Sequence, residues 1–177
     1  MIRALALVLG LAVAGCASQA ADRAAQPPAQ GREALPRVVS INPCVDAVLM
    51  QVADPAQIAA ISHYSQDERA TSIPLEQARR FAATSGTAEE VVALAPDIVI
   101  AGSHVAPSTI SALHRMNIPL IQIGVPESID ESSAQVRTIA AAIRQPARGE
   151  ALVARIDDAV RAASASSAAP SGALIWQ

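Results

Sequence analysis

The chain has 177 residues, a formal net charge of −3, 51% apolar residues and only 2% aromatic ones. That length holds one ordinary domain with a real core. The mildly negative balance, with no lysine and no arginine run, excludes the basic footprint of a nucleic-acid-binding protein.

Met1-Ile2-Arg3 is a short positive segment, and Ala4 to Ala14 is an apolar run of about eleven residues, too short to span a bilayer as a helix. It ends in Val13-Ala14-Gly15-Cys16, which resembles the bacterial lipobox, where a signal is cut before a cysteine that then carries lipid. An ordinary secretory signal or an uncleaved anchor is the alternative. On the lipobox reading the mature chain begins at Cys16, held to a membrane by its acyl chains. Cys44 is then the remaining thiol, so no disulfide framework is expected. Residues 16–36 lack periodicity and are rich in proline, as a tether would be.

From residue 37 helical and extended patterns alternate. Val38–Ile41 reads as a first strand. Asn42-Pro43 then opens a helix, with Asn as N-cap and Pro at the first helical position, and Val45, Val48, Leu49 and Val52 form its apolar face. Asp54-Pro55 stops it. Ile58–Ile61 is a second strand, followed by a polar loop from Ser62 to Glu68; residues 74–81 read as a short helix. Thr87 and Glu90 have capping-box spacing, and Val91, Val92 and Leu94 supply an apolar face before Pro96 ends the helix. Ile98–Ala101 is an unbroken apolar, largely β-branched run, expected of a parallel strand covered on both faces. Ser108–Met116 reads as a helix with Ile110 and Leu113 inward, and His114 on its surface. Pro119–Ile123 is a fourth strand. Ser128 and Glu131 form a second capping box, opening a helix with Ile129, Val136, Ile139, Ala140 and Ile143 at helical spacing. Residues 147–164 form one long helix with Leu152, Val153, Ile156, Val160 and Ala163 on a stripe; residues 173–177 begin another strand.

The alternation predicts an α/β, Rossmann-like lobe at residues 37–145, about four parallel strands joined by right-handed crossovers. Ligands of such sheets bind outside the carboxyl ends of the strands. The loops at those ends carry Asn42 to Cys44, His63-Tyr64, Gly102-Ser103-His104 and Gly124 to Glu127. Cys44, His63 and His104 fall on three of these loops. Thiolate and imidazole are ligands of zinc, copper, iron and cobalt centres, so the three are candidate metal ligands, or candidate axial ligands to a chelated metal. Buried cysteine and ordinary loop histidines are the other account. No phosphate loop, nucleophile elbow or His-Glu-x-x-His pattern occurs, so no catalytic constellation emerges.

Three stretches carry a family resemblance. They are Arg37-Val38-Val39-Ser40-Ile41-Asn42-Pro43, Ile61-Ser62-His63-Tyr64-Ser65, and Glu89-Glu90-Val91-Val92-Ala93-Leu94-Ala95-Pro96-Asp97-Ile98-Val99-Ile100-Ala101. The chain resembles the substrate-binding lipoproteins of iron–siderophore, haem and vitamin B12 ABC importers, which have two α/β lobes joined by a long helix with the ligand between them. The resemblance implies the boundaries: signal peptide at 1–15, lipidated tether at 16–36, first lobe at 37–145, inter-lobe helix at 146–166 and the start of a second lobe at 173–177, the rest of that lobe being absent. It also implies capture of a ferric siderophore, haem or cobalamin with no intrinsic cofactor, by Asn42, Cys44, His63, Tyr64, Ser103 and His104. Delivery would be to an ABC permease in the inner membrane by a monomer anchored outside the cytoplasm through Cys16. Glu89 matches the family's permease-docking acid, and the capping argument agrees: Glu90 is used by the cap while Glu89 is free to face solvent. The chain departs from the B12-binding members in having Gly102 where they place an aromatic, and Asp46-Ala47 where a Thr-Glu pair is usual. Two other readings stand beside this one: a metal-binding or redox lipoprotein using Cys44, His63 and His104, and a one-lobe structural or sensory lipoprotein without a ligand.

Overall fold

The computed structural model describes residues 34–165. The signal segment, Cys16, most of the tether and the strand expected at 173–177 lie outside the described residues. The chain divides at Ala34/Leu35 into two units, and the sheet and all its helices belong to the second.

Five parallel strands form one sheet: β1 (Val38–Ser40), β2 (Ile58–Ser62), β3 (Ala83–Thr84), β4 (Ile98–Gly102) and β5 (Leu120–Ile123), in the order β3-β2-β1-β4-β5. The helices are α1 (Pro43–Val52), α2 (Leu75–Ala78), α3 (Ala88–Ala93), α4 (Pro107–Arg115), α5 (Ile129–Ala142) and α6 (Pro146–Ala165). β3 is a strand that the sequence pattern does not predict. It has two residues, too few to register as a pattern, and pairs Ile61 with Ala83 and Ser62 with Thr84.

Both sheet faces are covered, as the β-branched runs require. On one face Val38, Ile98 and Ile100 pack with Val45, Leu49 and Val52 of α1 and with Ile139, Ala140 and Ile143 at the end of α5. On the other, Val39, Val99 and Ala60 pack with Val91 of α3 and Leu113 of α4. Strand side chains alternate between faces, so Val38 and Val39 serve opposite cores. Two expected core positions differ. Ile129 is 49% exposed, and Thr109 rather than Ile110 is the buried partner of Leu113 on α4. On α6 only Gly149 and Val153 are buried, while Leu152, Ile156 and Val160 of the expected stripe are half-buried.

The helix starts follow local chemistry. Asn42 Oδ1 accepts from the N–H groups of Cys44 (2.8 Å) and Val45 (3.2 Å), with Pro43 at the first turn. Thr87 accepts from Glu90 N–H at 3.4 Å and Ser128 from Glu131 N–H at 3.1 Å. The return arm of each box goes elsewhere. The Glu90 carboxylate takes the Ser85 N–H (2.7 Å) and the Thr84 hydroxyl (2.8 Å), and the Glu131 carboxylate takes the Glu127 N–H. The closed box is at Asp54, where Gln57 answers the cap of a single 3₁₀ turn. α3 ends with Ala95 in the left-handed region at φ 46°, and Pro96 then forbids any continuation.

Candidate functional site

A parallel sheet places the carboxyl ends of all its strands at one edge. Along that edge, β1 runs into Ile41 and Asn42, β4 into Gly102, Ser103 and His104, and β5 into Gly124, Val125 and Pro126. These residues bound a cavity of about 310 Å³ whose remaining wall is the N-terminal half of α1 and one face of α5. The wall is mainly apolar: Ile41, Val45, Val48, Ile123, Val136 and Ile139. A few polar groups converge on it: Asn42, Cys44, Ser103, His104, Ser132 and Gln135. An apolar pocket with a small set of convergent polar groups is the usual form of a small-molecule site.

Local sequence explains the placement. Asn42 is fixed by its cap, so its carboxamide cannot swing freely. Gly102 is required beside it, since a Cβ at that position would overlap Asn42 Nδ2. A glycine at the strand end thus admits the cap of the neighbouring helix. Cys44 is exposed in the first turn of α1. Gln135 donates to Gly124 O at 3.0 Å and ties the β5 loop to α5.

Four of the predicted contact residues therefore meet in one cavity: Asn42, Cys44, Ser103 and His104. His63 and Tyr64 do not join them. They lie on a 3₁₀ turn (residues 63–66) after β2, with their rings 4.0 Å apart, and His63 Nδ1 lies 3.2 Å from Thr84 O of β3. The expected cluster of Cys44, His63 and His104 is corrected accordingly. Among the described residues no three His, Cys, Asp or Glu side chains stand close enough together to hold a metal ion. β1 lies between β2 and β4, so the loops bearing His63 and His104 begin two strand spacings apart, roughly 9–10 Å. Reading along the chain places loops at one edge but not in lateral order.

Asp46, which no motif in the sequence singles out as a site residue, is a further polar group at this edge. It is fully buried on α1, and its Oδ2 accepts from Ser62 N–H (2.9 Å) and the Ser65 hydroxyl (2.6 Å). Burial pushes its carboxyl up to about 6, against the opposing pull of the nearby Ser40 hydroxyl and of the hydrogen bonds from Ser65 and Ser62. The signal available in the sequence is an acid three residues after Pro43, on the same turn as inward-facing Val45.

Glu89 and Glu90 are both exposed, and the Glu90 carboxylate is engaged not by the Thr87 cap but by Thr84 and Ser85. The Thr84 hydroxyl, then the Ser85 N–H and hydroxyl, hold the Glu90 carboxyl below its usual range. Glu89 is exposed and lines an open groove of about 330 Å³ between α3 and α4, with Val92, Ala112, Arg115 and Met116. Met116 is 57% exposed there. Among the described residues no helix is long and apolar enough to cross a membrane.

A profile described as "Periplasmic binding protein" matches residues 38–177. No curated protein sequence matches the chain. Solved structures do. A periplasmic haem-binding protein of Pseudomonas aeruginosa superposes with a TM-score of 0.60 at 18% identity, covering 74% of this chain and 47% of its own. The periplasmic haem-binding protein of Vibrio cholerae gives 0.63 at 16%, covering 73% and 49%. The periplasmic vitamin B12-binding protein of the same organism gives 0.57 at 16%, covering 72% and 49%. The chain thus spans about half the length of the solved proteins it matches.

Proposed function

The chain belongs to the periplasmic binding protein family, and on that premise we propose that it supplies one wall of the ligand cleft of an ABC-importer substrate-binding lipoprotein. The observation that carries this reading is the cavity at the carboxyl edge of β1, β4 and β5, where a mainly apolar wall meets Asn42, Cys44, Ser103 and His104. The ligand class is a metal chelate: haem, a corrinoid or a ferric siderophore. A flat macrocycle would rest on Ile41, Val48, Ile123 and Val136, while the polar groups at the rim fix its orientation. His63 and Tyr64 would contact it from the neighbouring stretch of the same edge, at β2. Capture and release need no covalent chemistry. A second lobe, closing against this edge about the α6 helix, would complete the cleft; α6 is twenty residues long and suits the role of a stiff connector.

The location follows from the same reading: outside the cytoplasm, anchored through a lipidated Cys16 on the tether of residues 16–36. Glu89 is the permease contact. It stands at the first turn of α3, unengaged by the cap, and lines a groove other than the strand-end cavity. Titration of the full chain with haemin, cyanocobalamin and a ferric hydroxamate siderophore, followed by absorbance and calorimetry, tests the ligand reading. Saturable binding of at least one, weakened about tenfold by Val136→Asp, is expected. Absence of binding by all three refutes it. Transport that is unimpaired by Glu89→Ala, with ligand affinity unchanged, refutes the docking role.

A further inference from the structure

We propose that Asp46 is a positioning residue for the His63–Tyr64 turn, the buried anchor that holds both rings at the edge of the cleft. The inference rests on the ligand reading for its functional meaning, but its test needs no ligand, so either can fail alone.

The turn from residue 63 to residue 66 is tied at its far end by Gln66, whose Nε2 donates to Ala78 O (3.2 Å) and Phe81 O (2.9 Å), and His63 Nδ1 lies 3.2 Å from Thr84 O. Tyr64 is 52% exposed and His63 is exposed as well. The turn's own bonds are long: Tyr64 N–H to Ser62 Oγ at 3.4 Å and Asp67 N–H to Tyr64 O at 3.2 Å. On the α1 side of the turn the bonds are short, and both go to Asp46. A single carboxylate oxygen takes the Ser62 N–H at the end of β2 and the Ser65 hydroxyl within the turn. Bonds to an ionised acceptor are about twice as strong as neutral ones. They run from the first turns of α1, whose exposed start lines the cavity, to the segment that carries Tyr64. The anchor therefore couples the two halves of the edge.

The carboxylate is a demanding choice for that place. Its second oxygen, Oδ1, is buried with no hydrogen-bond partner. The Ser40 hydroxyl stands close, but it has one proton to give and its bond to Asn42 O (3.1 Å) competes for it. Among the described residues no charged side chain compensates the acid; the groups that act on it are hydroxyls and a backbone amide. A buried polar group lacking full partners is disfavoured against an apolar side chain of similar size. What such a side chain could not supply is the pair of bonds to Ser62 and Ser65.

Tyr64 is the sole tyrosine of the chain, so its ring gives one signal in a protein labelled with ¹³C-tyrosine. In the full chain that signal, its cross-relaxation with His63 and the exchange rate of the Asp67 amide report the turn directly. Asp46→Asn keeps an acceptor oxygen and is expected to retain the native ring shift. Asp46→Ala is expected to move the signal toward its random-coil position, halve the His63 cross-peak and speed Asp67 exchange at least tenfold. Should Asp46→Ala fail to fold, Ser65→Ala decides, since it removes the 2.6 Å bond and leaves the carboxylate in place. A Tyr64 signal and Asp67 exchange unchanged in Ser65→Ala, or lost equally in Asp46→Asn, would overturn the proposal.

Discussion

Gly102→Ala is the sharpest test of how the cavity is built. The backbone at Gly102 is not left-handed, so alanine meets no strain of its own there. The obstacle is the Asn42 carboxamide, whose Nδ2 occupies the space a Cβ would need. Asn42 can rotate away only by withdrawing Oδ1 from Cys44 N–H at 2.8 Å and Val45 N–H at 3.2 Å. Loss of a side-chain N-cap costs about 1–2 kcal/mol, consistent with two hydrogen bonds of about 0.5–1.5 kcal/mol net each. For a domain of this size that lowers the melting temperature by roughly 3–8 °C. Urea denaturation followed by circular dichroism measures it. The decisive comparison is a double-mutant cycle with Asn42→Ala, which itself costs about 1 kcal/mol. Once the carboxamide is gone, Gly102→Ala has nothing to displace, so its added cost should fall below about 0.5 kcal/mol. Strict additivity of the two substitutions would refute the claim that Gly102 exists to admit the cap.

Three further expectations rest on other parts of the fold. Because the Asp46 carboxyl is pushed up to about 6 from 3.8, the stability it contributes is fully present below pH 3.8 and is lost as pH rises through 6. About two units correspond to roughly 3 kcal/mol, so urea midpoints from pH 4 to 7 should show Asp46→Asn losing that slope; an unaltered slope would count against burial as the cause. Gly149→Ala brings a Cβ to 2.5 Å from the Ala140 Cβ, where α6 crosses α5. Overpacking of this kind costs about 1–3 kcal/mol, which thermal unfolding would register; a neutral result would mean the helices part freely. Thr87→Ala removes the acceptor for Glu90 N–H and should cost about 1 kcal/mol, read as a lowered urea midpoint; an unchanged midpoint would mean that the 3.4 Å bond does not cap α3.

The sequence alone determined the alternation of elements, because the relevant signals are local. Asn42-Pro43, Thr87 and Ser128 open helices through their own side-chain oxygens. Pro96 closes one through its ring, and the run at Ile98 declares a strand covered on both faces. Those features also located the strand-end loops, and hence Asn42, Cys44, Ser103 and His104. Of the two acids, the sequence marked Glu90 as the engaged one, although its carboxylate answers Ser85 and Thr84 rather than closing a box on Thr87. Tertiary structure decided what depends on lateral order. That β1 lies between β2 and β4 sets the loops of His63 and His104 apart, and no spacing along the chain encodes it. Only the pairing with β2 makes a strand of Ala83-Thr84, two residues without a period. The role of Asp46 was hidden likewise: its partners are 16 and 19 residues away, and a carboxylate becomes an anchor only when the fold buries it beside them.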